Sequence, residues 1–117
     1  DGSGLSPDDR ITPRALTTLL RYVAEQPWGA EFRATLPIGG VDGTLSDRFT
    51  RGPLRGRVFA KTGTLDEVNA LSGYVTAKNG RTLIVSVLCN GHMPEAKGIT
   101  KTIDAIVTAA AETDSVR

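Results

Sequence analysis

The sequence predicts an α+β chain: three antiparallel strands in one sheet, with a terminal helix packed on it. Three observations carry this expectation. Apolar runs of strand length recur between residues 58 and 89, and Asn79-Gly80, the preferred pair for a tight hairpin turn, separates the last two. Beyond them, Ile99, Ile103, Ile106, Val107 and Ala110 make one apolar stripe at helical spacing. That stripe must be buried, and the sheet before it is the surface on hand.

Taken in chain order, Thr12-Pro13 reads as an N-cap followed by Pro at the first helical position. Leu16, Leu19, Leu20 and Val23 then recur at helical spacing, and Pro27 stops the helix. A second short helix is expected from Ala30 to Leu36. From Pro37 to Gly56 the chain is rich in Gly, Pro, Asp and Ser, which marks a long loop or a loop with one helical turn. Val58 to Thr62 is expected to be the first strand, Ala70 to Ala77 the second and Thr82 to Cys89 the third. The third is apolar on both faces apart from Ser86, so it is expected inside a sheet with helices against it. The first is expected at an edge, open to an extended peptide pairing by main-chain hydrogen bonds.

The bulk properties exclude several classes. At 117 residues the chain is one ordinary domain or a piece of a larger one, and its 39% apolar content suits a real core. A net charge of +1 gives no electrostatic reason to expect nucleic acid or a membrane surface. No apolar stretch reaches transmembrane length. The start, Asp1-Gly2-Ser3-Gly4, has neither the basic region nor the apolar core of a signal peptide, and it reads as a turn inside something longer. Cys89 is the single cysteine and reads as a buried strand thiol, silent on redox compartment.

The chemistry concentrates at Lys61-Thr62-Gly63-Thr64, which closes the run Val58-Phe59-Ala60. An ammonium, hydroxyls and a side-chain-free backbone on a strand edge can hold a carboxylate while a substrate backbone lies alongside. By composition alone the tripeptide Lys-Thr-Gly occurs in roughly 3 of 100 chains of this length, so its context decides its meaning. Taken alone, Lys61 would be an ordinary strand-end lysine facing water. Other candidates carry less. His92, the one histidine, follows the turn Asn90-Gly91 and reads as a loop or rim residue. Asp42 and Asp47 read as turn formers, lacking the spacing of a calcium loop. Asp1-Gly2-Ser3-Gly4 lacks the strand and the Lys of a phosphate loop. Arg48, Arg51, Arg55 and Arg57 read as a solvated basic face, able at most to steer an anionic polymer.

The context is a resemblance. Asp1-Gly2-Ser3-Gly4-Leu5-Ser6, Leu36-Pro37-Ile38-Gly39-Gly40, Ala60-Lys61-Thr62-Gly63-Thr64-Leu65 and Leu71-Ser72-Gly73-Tyr74-Val75 resemble, in order and spacing, the C-terminal part of the serine-type D-Ala-D-Ala carboxypeptidases of the class C low-molecular-mass penicillin-binding proteins. Asn90-Gly91-His92 is similar to one branch of that family. The resemblance implies the penicillin-binding protein/β-lactamase-like transpeptidase fold, with these strands the last three of a five-stranded antiparallel sheet. It implies serine acyl transfer on peptidoglycan stem peptides outside the cytoplasmic membrane, acylation by β-lactams, and no metal or cofactor. Lys61 would serve catalysis and bind the substrate carboxylate, and the hydroxyls of Thr62 and Thr64 would hydrogen-bond it. Gly63 would allow close approach, and the Thr64 N–H would be one of two oxyanion donors.

The chain departs from that pattern where it matters most. No serine is followed three residues later by lysine, so the nucleophile motif Ser-x-x-Lys is absent, and Ser-x-Asn is absent too. Residues 1–117 therefore read as a C-terminal fragment of the transpeptidase-like domain, inactive alone, whose missing N-terminal part is its natural partner. Such a fragment is expected to be poorly soluble or partly unfolded by itself. The rival expectation is a non-catalytic module that binds D-Ala-terminated peptides. A β-lactamase on the same fold is a weaker third.

Overall fold

A computed structural model describes residues 10–65, 67–91 and 98–113. Helix α1 (Pro13–Ala24) begins where the sequence places it, with the Thr12 hydroxyl accepting from the Ala15 N–H at 3.0 Å. It ends ahead of Pro27, at the cap Glu25. Helix α2 (Gly29–Ala34) starts one residue earlier than expected and is shorter. The long loop holds a single 3-10 turn, Gly43–Leu45.

Strands β1 (Val58–Leu65), β2 (Val68–Thr76) and β3 (Thr82–Asn90) form one antiparallel sheet in the order β1-β2-β3. Helix α3 (Ile99–Thr113) lies on one face and α1 on the other. Alternation of side chains across the strands divides the sheet cleanly. Val58, Ala60, Leu71 and Val75 face α3 and form the main core with Leu45, Phe49 and Leu54 of the loop and Ile103, Val107 and Ala111 of the helix. Tyr74 faces α1 and donates its hydroxyl to the Leu20 carbonyl at 2.6 Å.

Several expectations are corrected. The first strand runs on to Leu65 instead of stopping at Thr62, so all of Lys61-Thr62-Gly63-Thr64 is paired strand. The third strand is an edge of the described sheet, not an inner strand. Its apolar character reflects its two faces, because α1 and α3 both reach it. Cys89 is half-buried, packed against the α3-side core. In α1, Leu20 and Val23 are buried while Leu19 is exposed. In α3 the buried stripe is Ile103, Val107 and Ala111, with Ile99 partly buried. Ile106 and Ala110 lie on the exposed flank, because contact follows a single ridge of four-residue steps.

The β2–β3 hairpin also differs in detail. Ala77 N–H bonds the Arg81 carbonyl at 2.8 Å, which leaves Lys78, Asn79 and Gly80 as a three-residue loop, with Gly80 at φ 86°. A two-residue Asn-Gly loop would set Ser72 against Val87. The observed register sets Ser72 against Ser86.

Candidate functional site: the open edge of β1

The first half of β1 is covered on its outer edge. Gly39 N–H donates to the Val58 carbonyl at 2.8 Å, and Ala60 N–H donates to the Pro37 carbonyl at 3.1 Å. On the inner side, Thr76 N–H donates to the Arg57 carbonyl at 2.9 Å. Residues of an antiparallel strand alternate in the direction of their N–H and C=O groups, so Thr62 and Thr64 also present theirs outward. No backbone covers them among the described residues. The loop stops at Ala60, and the open edge begins at Lys61.

Side chains straddle that edge. Lys61 stands on the α1 face, exposed, and its Nζ donates to the Thr62 carbonyl at 2.6 Å. Next to it in the cross-strand row come Ser72 and then Ser86, whose hydroxyls are 2.9 Å apart. Thr62 and Thr64 stand on the α3 face. Thr62 is half-buried, and its Oγ1 lies 3.1 Å from Thr44 Oγ1 in the 3-10 turn. Gly63 is exposed, and a Cβ added there would meet only Ala70 Cβ, at 3.5 Å. An ammonium, two hydroxyls and two outward amides thus line one edge, a set suited to a carboxylate and an extended backbone. The four sequence-predicted residues come together there.

Residues that local spacing does not reveal join them. Thr44 reaches Thr62 from a distant loop, and Ser72 and Ser86 complete the row beside Lys61. The only advance signal was Ser86 interrupting an apolar strand, and it needed the correct hairpin register to gain meaning. Asp42 is a turn former, its carboxylate accepting from Ile38 N–H at 2.7 Å. The arginine cluster is not a uniform solvated face. Arg48 grips Asp104 of α3 with bonds of 2.6 and 3.1 Å, and Arg55 donates to the Gly40 carbonyl at 3.2 Å. Asp1-Gly2-Ser3-Gly4 and His92 lie outside the described residues. A groove of about 340 Å³ between the loop and α3, lined by Phe49, Leu54, Asp104 and Thr108, includes none of the β1 edge residues. The candidate site is an edge, not a cavity.

Among the described residues, no three His, Cys, Asp or Glu side chains group to hold a metal, and no helix is long and apolar enough to cross a membrane.

Comparison with known proteins gives the site a context. Residues 1–113 match the profile of the D-Ala-D-Ala carboxypeptidase 3 (S13) family. A D-alanyl-D-alanine carboxypeptidase of Actinomadura sp. (strain R39) is 39% identical over 117 residues, covering 96% of this chain and 21% of that protein. The crystal structure of penicillin binding protein 4 (dacB) from Haemophilus influenzae superposes with a TM-score of 0.79 at 32% identity, over 93% of this chain and 25% of that one. The same protein complexed with a novel beta-lactam superposes with the same TM-score. The shared fold is α+β, with three antiparallel strands and a helix after them. The chain spans about a fifth of the length of the curated relatives it matches.

Proposed function

Since the chain belongs to the D-Ala-D-Ala carboxypeptidase 3 (S13) family, we propose that it forms one wall of the active site of a serine-type D-alanyl-D-alanine carboxypeptidase or endopeptidase acting on peptidoglycan stem peptides. Residues 1–117 act as the C-terminal fragment of a transpeptidase-like domain, and the nucleophile belongs to the preceding part of the same protein. The observation that carries this reading is the open edge of β1. It begins at Lys61, with the amides of Thr62 and Thr64 turned outward.

Each residue then has a task. The substrate lies along β1 as an added strand, bonding the outward N–H and C=O groups. Its terminal carboxylate sits between the Lys61 ammonium and the hydroxyls of Thr62 and Thr64, where charge-assisted bonds are the strong ones. To admit it, Lys61 releases the Thr62 carbonyl it holds at 2.6 Å. Gly63 keeps the strand flat against the incoming backbone. When the serine of the preceding part attacks the scissile carbonyl, the Thr64 N–H donates to the developing oxyanion. Collapse of that intermediate expels the terminal D-alanine and leaves the stem peptide esterified to the serine, and water then hydrolyses the ester to free the shortened peptide. β-Lactams carry a carboxylate and a strained amide in the same relation, so they acylate the same serine. The site asks for no metal or cofactor, and the substrate puts the enzyme in the extracytoplasmic space.

The open edge of β3 takes the remaining strands of the sheet. Ile11, Leu19, Tyr22, Trp28 and Ile106, each roughly half exposed here, are available for the same missing part to cover.

The test is labelling of the full-length polypeptide with a fluorescent penicillin, with the adduct mapped by peptide mass spectrometry. The adduct is expected on a serine outside residues 1–117. Lys61→Ala is expected to slow acylation on the order of 10²-fold, the scale of losing one electrostatic contact in the transition state. A folded full-length protein that takes up no label would sink the reading.

A further inference from the structure

The loop that covers β1 does more than stop at Ala60. It bonds the strand edge through main chain at Val58 and again at Ala60, and at the next outward residue, Thr62, the contact passes to a side chain. That side chain is Thr44. We propose that Thr44 is a positioning residue of the carboxylate clamp, its hydroxyl setting the direction in which Thr62 offers its proton. The inference rests on the reading of Lys61–Thr64 as that clamp.

A threonine hydroxyl has one proton and two lone pairs, whereas an ionised carboxylate only accepts. In the structure the Thr62 hydroxyl donates to that of Thr44, their oxygens 3.1 Å apart. A bound carboxylate claims that proton, because it can only accept. The bond between the threonines then survives only if Thr44 donates to Thr62. Thr44 therefore fills a lone pair of Thr62, leaves the Thr62 proton free for the ligand and strengthens it by polarising the hydroxyl.

Thr44 is equipped for this because its place does not depend on Thr62. It sits between Gly43 and Leu45 in the 3-10 turn, and Leu45 is fully buried in the core. Gly40 N–H bonds the Leu45 carbonyl at 2.9 Å, and Ser46 N–H bonds the Gly43 carbonyl at 3.2 Å. Ahead of the turn, Asp42 caps Ile38 N–H. Behind it, Arg48 ties the loop to α3 through Asp104. The hydroxyl is thus held from both sides, and Thr62 is its one hydrogen-bond partner among the described residues.

The test uses the full-length polypeptide and two substrates, a D-Ala-D-Ala-terminated peptide and the same peptide as its C-terminal amide, which lacks the charge. Thr44→Val is expected to lower kcat/KM for the free acid roughly two- to tenfold, the scale of one hydrogen bond, and to leave the amide unaffected. Thr44→Ser is expected to restore the wild-type value. In a Thr62→Val background, Thr44→Val is expected to add nothing. An equal loss on both substrates, or no rescue by serine, would make Thr44 a packing residue and overturn the inference. So would a wild-type value in Thr44→Val when Lys61→Ala is impaired. If neither Lys61→Ala nor Thr62→Val affects acylation, the clamp reading itself fails, and the role of Thr44 goes with it.

Discussion

The two halves of β1 share one register and differ in almost everything else. In the first, Val58 and Ala60 are fully buried, and the strand is bonded along both edges, to β2 on one side and through Val58 and Ala60 to the Pro37–Gly39 segment on the other. Lys61, Gly63 and Thr64 are exposed; Lys61 and Gly63 turn their backbone groups to β2, while those of Thr64 point outward with no backbone over them among the described residues. The lesson is that this site is made by ending a cover rather than by hollowing a cavity. Strand pairing with β2 keeps the open half rigid, and the loop fixes where openness starts.

Two glycines sharpen the contrast, and they carry the largest predicted effect. Gly73 sits opposite Ala60 in the covered half. A Cβ there would lie 2.1 Å from the Phe59 carbonyl oxygen and 2.5 Å from Ala60 Cα, so β1 would have to move. Gly63, in the open half, has only Ala70 Cβ at 3.5 Å, an ordinary contact. In the full-length protein, Gly73→Ala should therefore cost about 3 kcal/mol or more, since backbone cannot yield as a side chain does. Gly63→Ala should leave stability within about 1 kcal/mol and yet slow penicillin acylation roughly 10- to 10²-fold by displacing the docked strand. Thermal unfolding and acylation kinetics separate the two. Equal losses of melting temperature would erase the distinction between the halves.

The next effect tests what holds the cover in place. Arg48 and Asp104 are mostly buried, with side chains 16% and 20% exposed, and they clasp the loop to α3. Arg48→Ala should cost about 1.5–3 kcal/mol, and Arg48→Lys should recover little, because one ammonium cannot reproduce the two-pronged grip. Hydrogen exchange offers a sharper readout than stability alone. The Ala60 amide, bonded to the Pro37 carbonyl, should lose protection in Arg48→Ala, whereas the outward Thr62 and Thr64 amides should exchange fast in both proteins. Unchanged protection at Ala60 would mean that the core contacts of Leu45 and Phe49 hold the loop unaided.

How much of this was legible beforehand follows the same division. Capping, helical stripes and Lys61-Thr62-Gly63-Thr64 are local patterns, and the structure keeps each of those elements near its expected place. Non-local facts were hidden. The expectation for Ile106 and Ala110 failed because a broad apolar stripe does not say which ridge meets the sheet. The expectation that β3 lies inside a sheet is not met within the described three strands, where β3 is an edge, and apolar faces alone carry no information about edges. One residue of hairpin length decided whether Ser72 faced Ser86 or Val87, and Asn-Gly is compatible with both loops. Thr44 belongs to a loop whose path no spacing predicts, so the partner of Thr62 could only be found in three dimensions.

The smallest effect concerns the opposite face of the covered half, where Tyr74 pairs with Phe59 and buries its hydroxyl on the Leu20 carbonyl. Arg33 stacks over both rings, 4.3 Å from the Phe59 centroid and 5.8 Å from that of Tyr74. Burial raises the Tyr74 phenol above its ordinary 10.0, and the Arg33 charge offsets part of that rise. A group that binds its proton more tightly when folded stabilises the fold fully below its unfolded pKa. That contribution is lost as pH rises through the folded value. Tyr74→Phe, which keeps the ring and removes the proton, should lower stability by about 1 kcal/mol near neutrality. The gap between the two proteins should then close as pH climbs past 10.0. Unfolding of wild type and Tyr74→Phe across that range measures it, and acylation of Tyr74→Phe at neutral pH should match wild type, because Tyr74 serves the closed half alone. A gap that stays constant above 10.0 would show that the Tyr74 proton is not held by the fold. An acylation defect in a stable Tyr74→Phe protein would show that the two halves of β1 are not independent after all.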